Sequence, residues 1–394
     1  MVSASNLSTQ SGPIRLGMVG GGQGAFIGGV HRIAARLDGA FVLVAGALSS
    51  DAERARASGA ELGLDPERSY GSFAEMAAAE AARPDGIEAV AIVTPNHMHF
   101  PAAKAFLEAG IHVICDKPLT SSLGDAKALA AAVEASGRLF ILTHNYTGYP
   151  MVRHAREMVQ LGALGDIRVV QAEYPQDWLT TRVEASGQKQ AAWRTDPAKS
   201  GAGGATGDIG THAYNLARFV TGLELDSLAA DLSAFVEGRP LDDNAHVMLR
   251  FKAKGSAPAA KGMLWASQVA PGNENALKLR VYGTKGGLAW EQEQPNHLWF
   301  TPFGQEKRLI TRAGAGAGPA AARVSRIPSG HPEGYLEGFA TIYAEAARAI
   351  RAARTGAAPD PDVIYPSVTD GVEGVAFVEA CVRSSRADAA WTTL

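Results

Sequence analysis

Asp208 and His212 lie four residues apart in Gly207-Asp208-Ile209-Gly210-Thr211-His212, a spacing that puts both side chains on one face of a helix. A carboxylate beside an imidazole makes an acid/base pair. Histidine, with a free pKa of ~6.5, accepts a proton near neutrality, while the carboxylate fixes its tautomer and raises its pKa by favouring the imidazolium. Oxidising a secondary alcohol needs one such base, because the hydroxyl proton must leave as hydride departs from the same carbon. Lys117, in Cys115-Asp116-Lys117-Pro118, follows a short apolar run. An ammonium at the carboxyl end of a parallel strand lies where doubly wound sheets bind their ligands. It would there stabilise developing alkoxide charge, or act as the base itself while His212 orients the substrate; the sequence leaves both open. Taken singly, Asp208 reads as a helix N-cap, His212 as a core side chain and Lys117 as a solvated charge. In order behind a glycine loop, the three read together as catalytic residues.

That loop is Gly20-x-Gly22-x-x-Ala25, with Gln23 inside it, between an apolar run ending at Val19 and a helical stretch. Glycines there let the backbone turn tightly toward a pyrophosphate, whose charge then faces the free N–H groups of the helix N-terminus. The reading is a dinucleotide site. Near the end of the second apolar run, where an acidic residue grips the ribose of NAD, the chain has Ser49-Ser50-Asp51 followed by Arg54. Serines accept a 2′-phosphate or tolerate a diol, and Arg54 lies within one helical turn. The reading is NAD(P) with a lean toward NADP, although Asp51 also suits the cap of the following helix.

The elements that must position these residues follow from periodicity. From Ile14 to Thr143 apolar runs alternate with amphipathic Ala-rich stretches, the rhythm of a parallel sheet covered by helices. Strands are predicted at 14–19, 41–47, 89–93, 112–115 and 139–142, with helices near 28–37, 52–63, 72–82, 101–109 and 124–136. After a helix at 150–161, strands at 167–174, 227–235, 244–251, 262–269 and 277–282 follow one another with few helices between them, at 208–221 and 333–354. Such a run implies a mostly antiparallel sheet. The expected fold is therefore a Rossmann α/β domain (14–146) followed by an α+β domain (147–394) with an open sheet for substrate binding and self-association. The polar stretch 1–13 reads as a disordered tail, and 313–322, all Gly, Ala and Pro, as a floppy surface loop.

Bulk composition narrows the classes. The chain has 394 residues, 46% hydrophobic and 20% charged, the proportions of a folded two-domain protein. With no long apolar window, a soluble chain without a membrane partner is expected. A formal net charge of -3 and the lack of a basic stripe argue against nucleic acid. Cys115 and Cys381 are the two cysteines, far apart, which fits a reducing cytoplasm and no disulfide framework. His97 and His99 lack further ligands at metal-site spacing, so no metal is expected.

Three further segments narrow the reading. Thr94-Pro95-Asn96-His97-Met98-His99, Asp116-Lys117-Pro118 and the Asp208/His212 segment together resemble the Gfo/Idh/MocA family of sugar and polyol dehydrogenases, over most of the chain. Gln176-Asp177-Trp178 and Trp193-Arg194 resemble its levoglucosan dehydrogenase branch, while Asp208 and His212 match the dyad of its inositol dehydrogenases. The resemblance implies a lysine, Lys117, beside the reacting hydroxyl, with Asp116 where the family has Glu. It implies cofactor contacts at Thr94, Pro95, Asn96, His99, Asp116, Lys117 and Asn145, with Trp193 and Arg194 near the nicotinamide or substrate. It also implies substrate contacts at Asn145, Tyr146 and Gln176, and dimers or tetramers. His331, in the loop before the last predicted helix, either reaches the pocket or ends the loop. A nonenzymatic NAD(P) sensor on the same fold is the rival reading, and it has no need of the lysine or of the dyad.

Overall fold

The computed structural model describes residues 12–253, 255 and 257–394, so the tail expected at 1–13 lies, up to residue 11, outside the described residues. The first half runs β1 (Ile14–Gly20), α1 (Phe26–Leu37), β2 (Phe41–Ala47), α2 (Ala52–Glu61), α3 (Phe73–Ala82), β3 (Ala89–Val93), α4 (His99–Glu108), β4 (His112–Cys115), α5 (Leu123–Ser136) and β5 (Phe140–Leu142). Its sheet is parallel in the order β2-β1-β3-β4-β5. The central strands β3 and β4 are buried at every position, which is why they read as unbroken apolar runs rather than alternating ones. Helix starts follow side-chain chemistry. Asp51, Ser72 and Ser122 each accept a backbone N–H of the first turn of α2, α3 and α5. Strand order reverses between β1 and β3, and the crevice at their carboxyl ends is where such sheets bind ligands.

The second half runs α6 (Pro150–Gln160), β6 (Ile167–Pro175), α7 (Lys189–Arg194), α8 (Pro197–Ser200), a π-turn (Thr206–Gly210) leading into α9 (Thr211–Thr221), and β7 (Leu225–Ser233). It continues through β8 (Asn244–Phe251), β9 (Lys261–Ser267), β10 (Lys278–Gly283), β11 (Gly286–Glu291), β12 (His297–Pro302) and β13 (Arg308–Thr311). It ends with α10 (Pro319–Ala322), α11 (Tyr335–Arg354), α12 (Val368–Arg386) and β14 (Thr392–Thr393). The nine-stranded sheet has the order β13-β12-β11-β10-β6-β9-β8-β7-β14 and is antiparallel except where β6 meets β9. Helices α6, α9 and α12 cover one face.

Three features depart from the sequence reading. Residues 313–322 do not float: α10 packs on α6, with Ala321 fully buried and the Gly318 and Ala320 N–H groups donating to His154 Nδ1 and Glu157 Oε1, both at 3.2 Å. The small residues there permit close packing rather than disorder. Strands β11 to β13 and helix α12 were not predicted; β11 begins Gly286-Gly287, which hides the alternation that buries Leu288 and Trp290. Helix α11 lies in the second half by sequence but joins the core of the first. Its Phe339, Ile342, Tyr343 and Ile350 pack with Ile14, Leu16 and Val30, each such side chain contributing ~1.5–3 kcal/mol by burial. Tyr343 Oη lies 2.8 Å from His31 Nδ1. The N-terminus of α11 is thereby brought to the crevice.

Candidate active site

At the strand reversal opens a cleft of ≈ 1200 Å³, above the range of most single-ligand pockets. Sixteen of the residues singled out by sequence line it: Gly20, Ala25, Ser49, Ser50, Thr94, Pro95, Asn96, Asp116, Lys117, Asn145, Tyr146, Gln176, Trp193, Arg194, Asp208 and His212. The glycine loop fits a pyrophosphate on two counts. Gly21 has φ +72°, and a Cβ on Gly28 would come within 2.4 Å of the Gly21 backbone, so loop and helix touch only because neither has a side chain. Helix α1 follows Ala25, which gives it no side-chain cap, and has no acid in its first turn, so its N–H groups remain for an anion. Deeper in the cleft, Thr94 Oγ1 and Asn145 Nδ2 are buried without hydrogen-bond partners, as expected of groups that meet a polar ligand.

Five expected site residues lie outside the lining. Gly22 and Gln23 face a smaller hollow behind the loop: Gly22 N–H donates to Leu48 O at 3.1 Å, and Gln23 Nε2 donates to Glu61 at 2.9 Å. Arg54 is exposed on α2, and its backbone N–H is capped by Asp51 at 2.8 Å. His99 is buried, its ring nitrogens 2.7 Å from Pro118 O and 2.9 Å from Thr94 O, so it holds the two motif loops together from behind. His331 is exposed, and it is its main-chain carbonyl that is used, by the Arg312 guanidinium.

The charged centre is organised around Asp208, which the π-turn before α9 points into the cleft. Asp242, half-buried, holds the start of that turn by accepting Gly204 N–H at 2.7 Å and Thr206 N–H at 2.8 Å. Lys117 Nζ donates to Asp208 Oδ1 at 2.9 Å and to its main-chain carbonyl at 2.7 Å. Arg194 Nε and Gln268 Nε2 donate to Oδ2 at 3.1 and 2.9 Å. Burial works to raise the Asp208 pKa, but the charges of Lys117 and Arg194 and the Lys117 hydrogen bond outweigh it and hold the carboxyl well below its ordinary range. Asp208 is an ionised acceptor with every contact charge-assisted or polar. Behind Lys117, Asp116 Oδ1 accepts the Lys117 N–H at 2.9 Å and the Thr143 hydroxyl at 3.0 Å.

The dyad expected from spacing takes a different form. Both side chains line the cleft, yet no hydrogen bond among the described residues joins Asp208 to His212, because Lys117, Arg194 and Gln268 occupy the carboxylate. His212 instead sits in a ring cage, 4.8 Å from Tyr146 and 5.3 Å from His144 by centroids, with Nδ1 buried and unpartnered. Its pKa falls well below 6.5 rather than rising: burial dominates, Lys117 and His144 add to it, and Asp208 opposes with too little effect. The imidazole is neutral and able to accept a proton.

Opposite the glycine loop stands a polar wall that sequence reading caught only at Tyr146 and Gln176. Tyr146 Oη lies 2.5 Å from Tyr174 Oη, Tyr174 donates to Asn275 Oδ1 at 2.7 Å, and Gln176 Nε2 donates to the same oxygen at 2.7 Å. Tyr174, Asn275, Gln292 and Tyr335 complete the lining from β6, the loop before β10, the end of β11 and the start of α11. No local motif marks them. The mouth is flanked by Trp178 and Trp193, whose indole N–H groups donate to Gln176 and Gln190, with the Arg194 guanidinium 4.3 Å from the Trp193 ring centre. Among the described residues no group of three or more His, Cys, Asp or Glu could hold a metal ion, and no helix is long and apolar enough to cross a membrane.

Comparison with known proteins matches this architecture. Residues 14–157 match the oxidoreductase family with an NAD-binding Rossmann fold, and residues 152–289 match the GFO/IDH/MocA C-terminal domain. The oxidoreductase YfiI of Bacillus subtilis (strain 168) is 36% identical over 388 residues, 97% of each chain. Levoglucosan dehydrogenase of Pseudarthrobacter phenanthrenivorans is 30% identical over 309 residues, 72% of this chain and 75% of that one. Among solved structures, an oxidoreductase from Sinorhizobium meliloti is 65% identical, with a TM-score of 0.89 over 97% of this chain and 100% of that one. An inositol dehydrogenase homologue from Azotobacter vinelandii, complexed with NADH and myo-inositol, is 37% identical, with a TM-score of 0.89 over 98% of each chain.

Proposed function

The chain belongs to the Gfo/Idh/MocA family of oxidoreductases, and from that premise we propose that it is an NAD(P)-dependent dehydrogenase acting on a secondary alcohol of a sugar, anhydrosugar, glycoside or polyol. One observation carries the reading: a Lys117–Asp208 ion pair and a neutral, caged His212 face the same cleft as the glycine loop. A nicotinamide bound there supplies the hydride acceptor. Lys117 spends two of its three N–H bonds on Asp208, leaving one for the substrate oxygen, where its charge steadies the developing alkoxide. Held as a donor, Lys117 is the electrostatic partner; His212 takes the hydroxyl proton. Asp208 acts by fixing Lys117.

At the adenosine end Ser49 and Ser50 line the cleft and the carboxylate of Asp51 is spent on its cap, so the wall admits a 2′-phosphate as readily as a diol. This keeps the lean toward NADP. The uncovered sheet face, with Val169, Met248, Met263, Tyr282, Trp299 and Leu309 exposed on adjoining strands, fits a second copy of the chain in a dimer or tetramer. A cytoplasmic location belongs to the same proposal, supported by two free, buried cysteines, Cys115 and Cys381. The test is cofactor reduction with polyols, monosaccharides, anhydrosugars and glycosides, run with NAD and NADP separately, beside the mass in solution. Turnover of a hydroxylated substrate is expected. Tight cofactor binding with no turnover across all four classes would favour the sensor reading.

A further inference from the structure

We infer that Gln268 is a positioning residue that transmits the charge on Asp208 into the hydrogen-bond polarity of the substrate wall; this rests on reading the cleft as a site for sugars or polyols. Gln268 is 2% exposed and lies just past β9, behind Asp208 and outside the cleft lining, so it touches neither ligand. Its backbone is pinned on both sides, N–H to Asp243 O at 2.8 Å and C=O to Leu179 N–H at 3.0 Å. An ionised carboxylate can only accept, so Gln268 must turn its NH₂ toward Asp208 Oδ2, 2.9 Å away. The same NH₂ approaches Gln176 Oε1 at 3.5 Å, an oxygen that also accepts the Trp178 indole N–H at 3.0 Å. With its oxygen facing these donors, Gln176 must turn its own NH₂ to Asn275 Oδ1.

Direction then propagates. Asn275 Oδ1 cannot donate, so the single Tyr174 proton goes to it, and in the 2.5 Å Tyr146–Tyr174 pair Tyr146 must be the donor. Of Tyr146 and Gln176, what remains for a ligand is the Tyr146 lone pair not faced by Asn275 Nδ2, 3.5 Å away, and the second N–H of Gln176. A hydroxyl can donate to the first and accept from the second. The wall is thus set to hold a second hydroxyl of a vicinal diol while the reacting one lies at Lys117 and His212.

The test pairs two variants at one position, measured in the full-length protein. Gln268→Leu keeps bulk and removes the donor. Gln268→Glu keeps length, but ionised it repels Asp208 and donates nothing; protonated, it regains one O–H. Asp208 with its partners Lys117 and Arg194, and the Asp243–Arg239 pair beside the pinned backbone, are the charged groups around that position, and burial beside Asp208 favours the protonated form at low pH. The expected result for Gln268→Leu is a loss of roughly 10- to 100-fold in kcat/KM for a vicinal diol. Its cofactor affinity, read by quenching of tryptophan fluorescence, should stay unchanged. For Gln268→Glu the ratio to wild type should fall as pH rises from about 6 to about 8. A Leu variant within twofold of wild type, a Glu ratio flat with pH, or a parallel loss of cofactor affinity would each overturn the inference. A wild-type protein that oxidises no sugar or polyol would instead sink the reading beneath it.

Discussion

Along the carboxyl ends of β1, β3 and β4 the cleft is lined by backbone and small side chains from contiguous motifs, whereas the facing wall is assembled from side chains of β6, α9, α11 and the loops flanking β9 and β10. The first wall offers a ligand helix N–H groups and glycine backbone, which depend little on neighbouring side chains. In the second, each group gets its direction from the next: Asp208 is fixed by Lys117, Arg194 and Gln268, and Tyr146 by Tyr174 and Asn275. Binding of cofactor and turnover of substrate should therefore separate under mutation, and the separation can be measured.

The largest effect is expected at the seam. Lys117→Met removes the ammonium proposed to face the substrate oxygen and strips Asp208 of one of its two cations, so turnover should fall on the order of 1,000-fold. On the proposed reading the glycine loop and α1 would hold the pyrophosphate, so cofactor affinity should stay near wild type. Fluorescence titration beside steady-state rates would check this. If both collapse together, the two walls are not independent and Lys117 belongs to the cofactor side.

His212→Asn comes next, with a loss of roughly 100- to 1,000-fold and a change in pH profile. A base works when unprotonated, so oxidation rises as pH passes upward through its pKa. Burial, Lys117 and His144 push that pKa well below 6.5, so the wild-type limb should lie well to the acid side of that value and the rate with respect to this group should be level at neutrality. The variant should lack the limb. Folding must be followed over the same range, because His31, His112 and His144 are held neutral down to about 4, 4 and 3, mainly by burial. The unfolded chain binds those protons from about pH 6.5 downward while the native state does not, so stability is lost as pH falls through that window. A His212→Asn variant that keeps the limb would make Lys117 the base.

The same contrast explains what could be read from sequence. The glycine loop, Lys117 and the Asp208/His212 spacing are local patterns in their proper order, and all lie at the cleft. Strands 41–47, 89–93, 112–115 and 244–251 are bounded as their apolar runs predict. Tyr174, Gln268 and Asn275 carry no local signature, since their meaning comes from strand pairing that sets β9 beside β6 and β6 beside β10. The dyad takes its different form for a related reason. Spacing of four places two side chains on one face, but it does not say that Lys117, 91 residues upstream, has already taken the carboxylate.

On the cofactor wall a smaller and different effect is expected. Ser49→Asp places a carboxylate on the cleft wall proposed to face the adenosine ribose, where it would accept from a diol and repel a 2′-phosphate. The ratio of NAD to NADP catalytic efficiencies should rise by roughly 10-fold or more, about the effect of one charge contact, with little change in the pH profile set by the other wall. An unchanged ratio would mean that the ribose does not lie against this loop.

The smallest effect is expected at His331, which separates a residue near the cleft in sequence order from one that takes part in it. The loop 323–334 leads directly to Tyr335, which lines the site, so a histidine there could serve either wall. In the fold its ring is exposed, and the contact it makes is through its carbonyl to Arg312, an arginine that is buried and also pairs with Glu333 at 2.9 Å. A side-chain change leaves that carbonyl in place. His331→Ala should hold both catalytic efficiency and cofactor affinity within about twofold of wild type and shift stability by no more than ~0.5 kcal/mol, as for an ordinary surface position. Arg312→Ala is the matched control: it breaks a buried pair that ties the loop to β13 and α11, and it should lower the melting temperature by several degrees. A tenfold rise in substrate KM for His331→Ala, with cofactor affinity unchanged, would instead show that the loop closes over the substrate wall during turnover and brings the imidazole to the ligand.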